Sequence, residues 1–354
     1  MTFLASEKNR QAEFKLSSKY FTKEARKPGL FRNRLYPFAL PVSCADQNLH
    51  QWIRTEAIEY FKKHEIVWHT SAGVDLPTNH MVSSQIMCLS IDLTSNGRRP
   101  LFVFHIVNGS RHHQEEFAHT LNAETRFFQW SYEARLKDHR ERSTRGRSIV
   151  FFAFAAIASS AIRESVPRPI DVFVPENGFI SLNVALSPGR LGSLSTKTTH
   201  PTYMQGIQSV WDRLEIRLQL QFPYRYQTKG EMLENCRDTD TLSRLLGYTI
   251  SCGQYHIHKH THCGVCIPCL VRRAAYRKVG WDDPTEYCKD LRVDKSDNIA
   301  VATSAWLILQ VQGIRKVTAG SLSFAKGSEK RQLEQVVSRG LSEISGLLRA
   351  YGRL

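Results

Sequence analysis

The middle of the chain alternates between continuous apolar runs and segments with helical spacing of apolar residues. Residues 100–108 (PLFVFHIVN) and 170–174 (IDVFV) are nearly continuous apolar runs, and residues 126–132 form a further strand-like segment. Such runs are typical of strands that are covered on both faces of a sheet. Residues 114–123 and 143–162, which lie between these runs, have helical character. The alternation predicts an α/β fold with right-handed crossovers and a mostly parallel, doubly wound sheet.

The C-terminal part of the chain is predicted to be mainly helical. Helices are expected over residues 201–217, 229–246 and 266–279, with a strand at 218–222. The final segment is expected to be helical because its apolar residues recur at three- and four-residue steps. These residues are Leu333, Val336, Val337, Leu341, Ile344 and Leu348.

The first 90 residues differ in character from the rest of the chain. They begin with a polar and basic stretch, continue with helical spacing over residues 49–63, and include a short predicted strand at 66–69. We therefore divide the chain into three parts by residue number. These parts are an N-terminal basic segment (1–90), an α/β core (91–235) and a helical C-terminal region (236–354).

The excess of positive charge narrows the classes of molecule that the chain is expected to bind. The chain of 354 residues carries 48 Lys and Arg residues against 33 Asp and Glu residues, which is a formal net charge of +15. Such an excess favours polyanionic partners such as nucleotides, nucleic acids or phosphorylated substrates, without choosing among them. Basic residues concentrate at 19–34 and 135–147, where a solvated surface is an equally good interpretation.

The apolar runs predict a soluble, cytoplasmic protein with no membrane partner. The opening sequence MTFLASEKNRQAEFK lacks the apolar segment of a signal peptide. The longest apolar run, residues 149–162, is shorter than the roughly 20 residues that a membrane-spanning helix needs. Its small residues suit a buried helix instead.

Four cysteines are closely spaced in the segment SCGQYHIHKHTHCGVCIPCLVRR. They are Cys252, Cys263, Cys266 and Cys269. Four thiolates gathered in this way match the needs of a tetrahedral zinc ion, with Zn–S distances of about 2.3 Å. A disulfide cluster or unpaired core thiols are the alternatives, but nothing in the sequence indicates secretion, so we favour the metal. Because all four ligands come from the protein, the predicted Zn²⁺ site is structural.

The loop between the first and second of these cysteines carries four histidines at alternate positions. They are His256, His258, His260 and His262. Imidazole is also a zinc ligand, so one of them is an alternative to a thiolate. We expect them instead to be exposed loop residues near the metal.

A polar, glycine-containing loop follows the predicted strand at 170–174. Residues 174–201 read VPENGFISLNVALSPGRLGSLSTKTTHP and lie where a central strand of a doubly wound sheet would end, which is the edge at which such sheets bind ligands. Its glycines, hydroxyl groups and the cationic Arg190 and Lys197 are suited to holding phosphate groups. A flexible polar loop without a ligand is the alternative on composition alone.

Three motifs of the chain resemble those of a known family. The segments PENGFISLN, RLGSLSTKTTHP and CGVCIPCLVRRAAY look like those of the QueC-like proteins, which are relatives of 7-cyano-7-deazaguanine synthase and include the QueC-like component of Qat anti-phage defence systems. Arg145, Arg147 and Ser148 fit the same pattern. The resemblance covers about residues 91–281.

The resemblance implies a fold, a set of cofactors and a reaction. The fold is that of the adenine-nucleotide alpha-hydrolases (PP-loop, HUP type), with a helical C-terminal part that holds Zn²⁺ through the four cysteines. The reaction is an adenylation with ATP and Mg²⁺, in which a carboxylate of a deazapurine-type molecule attacks the alpha-phosphate and pyrophosphate leaves. Residues implied to line the nucleotide or substrate end of the sheet are Glu176, Asn177, Arg190, Ser195, Thr196 and Lys197. No catalytic residue is assigned.

The chain departs from the family pattern at the phosphate-binding loop. The family carries a Ser-Gly-Gly-x-Asp-Ser loop after its first strand, whose backbone amides bind pyrophosphate. The corresponding segment here is Ser71–Asp75, in which Ala72 replaces a glycine, Leu76 replaces the last serine and Pro77 follows. The departure predicts an impaired ATP-dependent ligase.

Two further hypotheses follow from the N-terminal part and from the charge. The pattern Tyr60-Phe61, Trp68-His69 and Ser83-Ser84-Gln85 is similar, over a shorter stretch, to the N-terminal part of certain restriction endonucleases. This similarity implies that the chain is a fusion with a segment of separate origin. We assign no nuclease activity. The alternatives to the impaired ligase are a catalytically inactive scaffold and a basic, nucleic-acid-binding component of a defence complex, with other defence proteins as partners.

Overall fold

A computed structural model of the chain describes most of the C-terminal half and selected segments before it. The described residues are 13–14, 66–68, 92–93, 96, 101–105, 111–122, 127–130, 134–135, 149, 152–153, 155–156, 169–184, 199–255 and 257–354. The predicted helix at 49–63, the segment Ser71–Asp75 and the loop positions Arg190, Ser195, Thr196 and Lys197 lie outside these residues.

Five strands form a parallel sheet, and two short strands form an antiparallel pair. In chain order the strands are β1 (Glu13–Phe14), β2 (Ile66–Trp68), β3 (Leu101–His105), β4 (Phe127–Trp130), β5 (Ala134–Arg135), β6 (Ile170–Phe173) and β7 (Leu218–Gln221). β1 pairs with β5, and the order in the large sheet is β4-β3-β2-β6-β7. All pairings in the large sheet are parallel. The predicted parallel sheet is therefore present, with its strands at the predicted places.

The order of the strands reverses in the middle of the sheet. The chain runs from β2 outward through β3 to β4, and then returns to add β6 and β7 on the other side of β2. Ile66 of β2 is in register with Leu101 of β3 on one side and with Val172 of β6 on the other. The central strand therefore comes from the 1–90 segment and lies before residue 91, where the predicted core begins.

The helices account for most of the described C-terminal residues. They are α1 (Arg111–Thr120), α2 (Gly178–Leu182), α3 (Pro201–Arg213), α4 (Lys229–Glu234), α5 (Thr239–Leu246), α6 (Ile267–Val279), α7 (Asp297–Gln312), α8 (Ile314–Thr318) and α9 (Gly327–Ala350). Ile149, Phe152, Ala153, Ala155 and Ala156 are also helical, within the predicted helix at 143–162. Among the described residues, no helix combines the length and the apolarity that crossing a membrane requires.

Two predicted helices have different bounds in the structure. The segment 229–246 contains two helices rather than one, because Asp238 caps a new helix by accepting a hydrogen bond from the Thr241 amide at 2.9 Å. Side chains that accept from such free amides start helices. The helix predicted at 201–217 ends at Arg213, because Glu215 has a positive φ of 53° that turns the chain towards β7.

The C-terminal core is built around α9. Its predicted apolar stripe is confirmed, since Leu333, Val336, Val337, Leu341, Ile344 and Leu348 are all buried. α9 packs against α6 and α2. Gly340 allows the close approach to α2, because a Cβ at this position would overlap the Phe179 ring. The segment that follows β6 is therefore fixed against the C-terminal helix.

Candidate metal centre

The four predicted zinc ligands come together at the N-terminus of α6. Cys252 and Cys263 lie in the connection between α5 and α6, Cys266 is the residue that caps α6, and Cys269 lies in its first turn. All four are buried, and their sulfur atoms lie within 4.8 Å of one another. The described cysteines are unoxidised thiols. These cysteines therefore do not form the disulfide cluster that was the alternative interpretation of the sequence.

The spacing of the sulfurs fits a tetrahedral zinc ion. A Zn–S distance of about 2.3 Å gives a tetrahedron whose sulfurs are about 3.8 Å apart. The sulfurs of Cys263 and Cys269 are separated by 3.9 Å. The cluster can therefore hold a metal ion such as zinc, and with four protein ligands the ion would have no open position for a substrate.

Backbone amides point at the sulfurs and support their negative charge. Cys252 Sγ accepts hydrogen bonds from the Gln254 and Cys263 amides, each at 3.3 Å. Cys263 Sγ accepts from the Cys266 amide at 3.3 Å. The turn that aims the last of these amides needs Gly264, whose φ is +85°, in the left-handed region that side-chain-bearing residues rarely adopt.

The thiols influence one another's ionisation strongly. Hydrogen bonding with Cys252, Cys266 and Cys269 holds the pKa of the Cys263 thiol well below its usual value. Contact with Cys252, Cys263 and Cys266, together with burial, raises the pKa of Cys269 well above its usual value. One thiolate in the cluster thus opposes the formation of the next. A divalent cation removes this opposition, because thiols that coordinate a metal are deprotonated.

One of the four histidines supports the cluster without belonging to it. His260 is exposed and His258 is half-exposed, as expected, and His256 lies outside the described residues. The prediction was wrong for His262, which is buried and whose Nε2 accepts a hydrogen bond from the Ser251 amide at 3.3 Å. Burial, together with the nearby Arg272 charge, lowers the pKa of His262 to about 3. The imidazole is therefore neutral and orders the loop rather than joining the four sulfurs.

His262 is packed edge-on against two tyrosine rings. Its ring centroid lies 5.3 Å from that of Tyr255 and 6.1 Å from that of Tyr287. Both arrangements are the edge-to-face geometry that aromatic pairs prefer. The aromatic packing closes the loop around the cluster and explains why the histidine next to Cys263 is buried.

The two arginines that follow the cluster have structural roles that the sequence did not predict. Arg272 is buried and spans the gap between α6 and the end of α5, where it donates to Thr249 Oγ1 at 2.5 Å and to Leu246 O at 3.0 Å. The Arg273 guanidinium lies 4.4 Å from the Tyr287 ring centroid and 4.9 Å from that of Tyr351. Both side chains therefore tie the metal loop to the surrounding helices.

The other predicted site residues that the structure describes lie directly after β6. Glu176 and Asn177 are both buried. Asn177 caps α2 by accepting from the Ile180 amide at 3.1 Å, and it donates to Glu176 Oε1 at 3.4 Å. The adjacent Gly178 has no room for a side chain, because a Cβ would overlap the backbone carbonyl of Arg225. The PENG segment is thus a rigid turn at the carboxyl end of a central strand.

The two groups of predicted residues share a core. Phe179 and Leu182 of α2 belong to the same hydrophobic cluster as the four cysteines and as α9. Apolar packing therefore connects the turn after β6 to the metal centre. The structure brings the four cysteines together as predicted and fixes Glu176 and Asn177 in the adjoining element.

Sequence reasoning missed a cavity beside this turn. A cavity of about 170 Å³ lies between α3 and the carboxyl ends of β6 and β7. Glu176, Thr199 and Arg225 are among its lining residues. Thr199 belongs to the hydroxyl-rich loop that the sequence singled out, whereas no pattern marked Arg225.

Comparison with protein-family models and with curated proteins finds no match for the chain. The resemblance to QueC-like proteins therefore rests on the three motifs alone.

Proposed function

We propose that the chain is a QueC-like nucleotide-binding protein of the adenine-nucleotide alpha-hydrolase type, with a structural zinc ion bound by Cys252, Cys263, Cys266 and Cys269. The observation that carries this proposal is the strand order, which reverses between β2 and β6. In doubly wound α/β sheets, ligands bind at the carboxyl ends of the strands where the order reverses. The buried Glu176 and Asn177 follow β6 at that edge.

The proposed reaction is the adenylation of a carboxylate on a deazapurine-type molecule. The carboxylate oxygen would attack the alpha-phosphate of ATP and break its bond to the bridging oxygen of the beta-phosphate, which gives an acyl-adenylate and pyrophosphate. Bound Mg²⁺ would offset negative charge on the phosphates. The nucleotide end would be lined by Glu176, Asn177, Arg190, Ser195, Thr196 and Lys197. Cationic and amide donors there would neutralise charge that develops on the phosphates, which is the main means of catalysis in such transfers.

The segment Ser71–Asp75 follows β2, the strand that is central in the sheet. In the proposal it takes the place of the phosphate-binding loop. Ala72 and Leu76 depart from the residues that such a loop uses, so we expect turnover to be weak.

A second candidate is a scaffold without ATP turnover that binds nucleic acid in a defence complex. The altered Ser71–Asp75 segment and the net charge of +15 favour it. Contacts between cationic side chains and phosphates weaken steeply as the salt concentration rises. A gel shift with short DNA or RNA at two salt concentrations therefore detects this function.

The test of the main proposal is pyrophosphate release and nucleotide binding by the zinc-loaded full chain with MgATP. Binding of ATP that is lost in Lys197→Ala, and retained in the exposed-loop control Lys259→Ala, would support a nucleotide site. Pyrophosphate release that depends on an added deazapurine carboxylic acid would support the ligase. ATP binding without pyrophosphate release would contradict the ligase and support the inactive scaffold. Absence of ATP binding would contradict the nucleotide-binding proposal, and the gel shift would then test the nucleic-acid-binding function.

A further inference from the structure

α7 carries apolar residues on every side, including a side that is exposed. Asp297 is the only charged residue of this helix. Ile299, Ala302 and Ala305 are buried, and α7 packs against α9 and α6. A helix that is apolar all round is ordinarily buried all round. The exposed side of α7 is therefore a candidate for an interaction surface.

Four residues form a row along this exposed side, which we call the outer stripe of α7. They are Ala300, Ser304, Leu307 and Val311, and their spacing of four, three and four residues places them on one face of the helix. Leu307 is 52% exposed and Val311 is 81% exposed. Single exposed apolar side chains are common on protein surfaces, but a continuous row is typical of a binding face. Small residues occupy the first half of the outer stripe, and large residues occupy the second half.

The charge of α7 narrows the kind of partner that fits the outer stripe. Nucleic-acid binding depends on Lys and Arg side chains that contact phosphates. Helices that lie on membrane surfaces also carry Lys and Arg on their polar side. Residues 297–312 contain neither residue type. The outer stripe therefore fits an uncharged, apolar protein surface.

The outer stripe is complementary in size to a second copy of itself. If two α7 helices pack antiparallel about a two-fold axis between residues 305 and 306, Ala300 of each copy lies opposite Val311 of the other. Ser304 lies opposite Leu307 in the same arrangement. Each large side chain thus meets a small one, which is how well-packed interfaces fill space. Because two-fold dimers use the same patch on both copies, this pattern favours a second copy of the chain over an unrelated protein.

The charges at the two ends of α7 favour the same antiparallel arrangement. Residues 290–297 contain three aspartates against two basic residues, whereas residues 313–320 contain two basic residues and no acidic one. Asp297, Arg315 and Lys316 are all exposed. An antiparallel pair brings the acidic start of each helix to the basic segment after the end of the other helix. This pairing is electrostatically favourable, and so is the antiparallel alignment of the two helix dipoles.

We propose that a second copy of this chain packs antiparallel on the outer stripe of α7, which gives a two-fold homodimer. A single helix pair is a small interface, so the dissociation constant should be on the order of 10 µM. Sedimentation velocity of the zinc-loaded full chain from about 1 to about 200 µM measures this constant. A chain that sediments as a monomer over the whole range would overturn the proposal. Because no nucleotide is present, failure of this test and failure of the ATP assay are independent results.

Two matched variants test which face of the chain forms the dimer. Leu307→Glu places a charge in the outer stripe of both copies and should raise the dissociation constant at least about 30-fold. Val210→Glu on α3 is the control, because Val210 is also 52% exposed, and it should leave the constant unchanged. Both variants should keep the melting temperature of the wild type. Equal effects of the two variants on the dissociation constant would overturn the proposal, as would a monomeric wild type that Leu307→Glu destabilises.

Further variants test the register of the two helices and remain informative if Leu307→Glu fails to fold. Ala300→Leu overfills the space opposite Val311 and should weaken the dimer at least about tenfold, whereas Ala300→Ser should not. Asp297→Lys and Arg315→Asp should each weaken the dimer about threefold, and their combination should restore the wild-type constant. An unchanged dimer in Ala300→Leu, or no restoration in the combined variant, would overturn the antiparallel arrangement.

Discussion

Arg272 Nη1 donates a hydrogen bond to Thr249 Oγ1 at 2.5 Å, which joins the helix that begins at the metal cluster to the end of the preceding helix. The same guanidinium donates to Leu246 O at 3.0 Å and to Thr285 Oγ1 at 2.7 Å. Every acceptor that it contacts in the described part of the chain is a neutral oxygen. Arg272 therefore stabilises the packing around α6 through several hydrogen bonds to neutral oxygens, because its guanidinium group has several N–H donors.

Replacement of Arg272 by a residue of similar length without donors should lower the free energy of unfolding. In Arg272→Met, buried carbonyl and hydroxyl oxygens lose their partners, at about 1–3 kcal/mol each. We expect urea denaturation to show a loss of about 3 kcal/mol in unfolding free energy. The matched control is Arg277→Met, at an exposed position on the same helix, which should change the value by less than about 0.5 kcal/mol. Equal effects of the two variants would contradict the connector role.

Removal of one ligand should release the metal and loosen the C-terminal core. We expect Cys269→Ser to lose stoichiometric zinc, measured by elemental analysis, and about 3 kcal/mol or more of unfolding free energy, because metal binding to a folded site contributes to folding. Cys236→Ser replaces a thiol that is buried in a different hydrophobic cluster. That control should keep its zinc. A Cys269→Ser protein with full zinc content would show that Cys269 is not a ligand.

Gly340 and Gly346 in α9 allow a matched test of the contact with α2. Gly340→Ala should destabilise the protein by about 1–3 kcal/mol, because the new methyl group would overlap the Phe179 ring in a packed core. At Gly346 of the same helix a Cβ would meet nothing within 4 Å. Gly346→Ala should therefore stabilise the protein by up to about 1 kcal/mol through helix propensity. Opposite signs in urea denaturation are the expected result, and two stabilising substitutions would contradict the packing of α2 on α9.

Glu343 gives the fold a dependence on pH. Burial raises its pKa in the folded state, although Thr228 and Lys278 partly oppose this through a hydrogen bond and charge. The folded state therefore holds the proton more tightly than the unfolded state, so the stabilisation is full below the unfolded pKa and is lost as pH rises through the folded pKa. Glu343→Gln should gain stability relative to the wild type as the pH rises from about 4.5 to about 7. A constant stability difference between Glu343→Gln and the wild type over that range would contradict the raised pKa of Glu343.

Features that depend on neighbours in sequence were predictable, and features that depend on distant contacts were not. The apolar strands and the cysteine spacing are local patterns, so the sequence alone was enough to predict β3, β6 and the grouping of the four thiols. The burial of His262 depends on Tyr287, which lies in a later loop, and the role of Arg272 depends on Thr249 and Leu246. The break between α4 and α5 is set by the cap at Asp238, which helical periodicity did not reveal.

The position of β2 in the sheet also depends on contacts between residues that are distant in the sequence. Three residues, Ile66–Trp68, form the central strand, although the composition of residues 1–90 suggested a separate segment. β2 belongs to the large sheet because it pairs with β3 on one side and with β6 on the other. A strand this short carries little periodic signal of its own. Only its place before Ser71–Asp75, where the family resemblance implies a phosphate-binding loop after the first strand, connected it with the sheet.

X-ray absorption spectroscopy at the zinc edge on the purified full chain, combined with elemental analysis, tests the metal centre most directly. We expect one zinc ion per chain in a shell of four sulfur atoms at about 2.3 Å, without nitrogen or oxygen ligands. A shell that contains nitrogen would mean that a histidine of the loop displaces a cysteine. Protein that folds without any stoichiometric metal would contradict the metal centre itself.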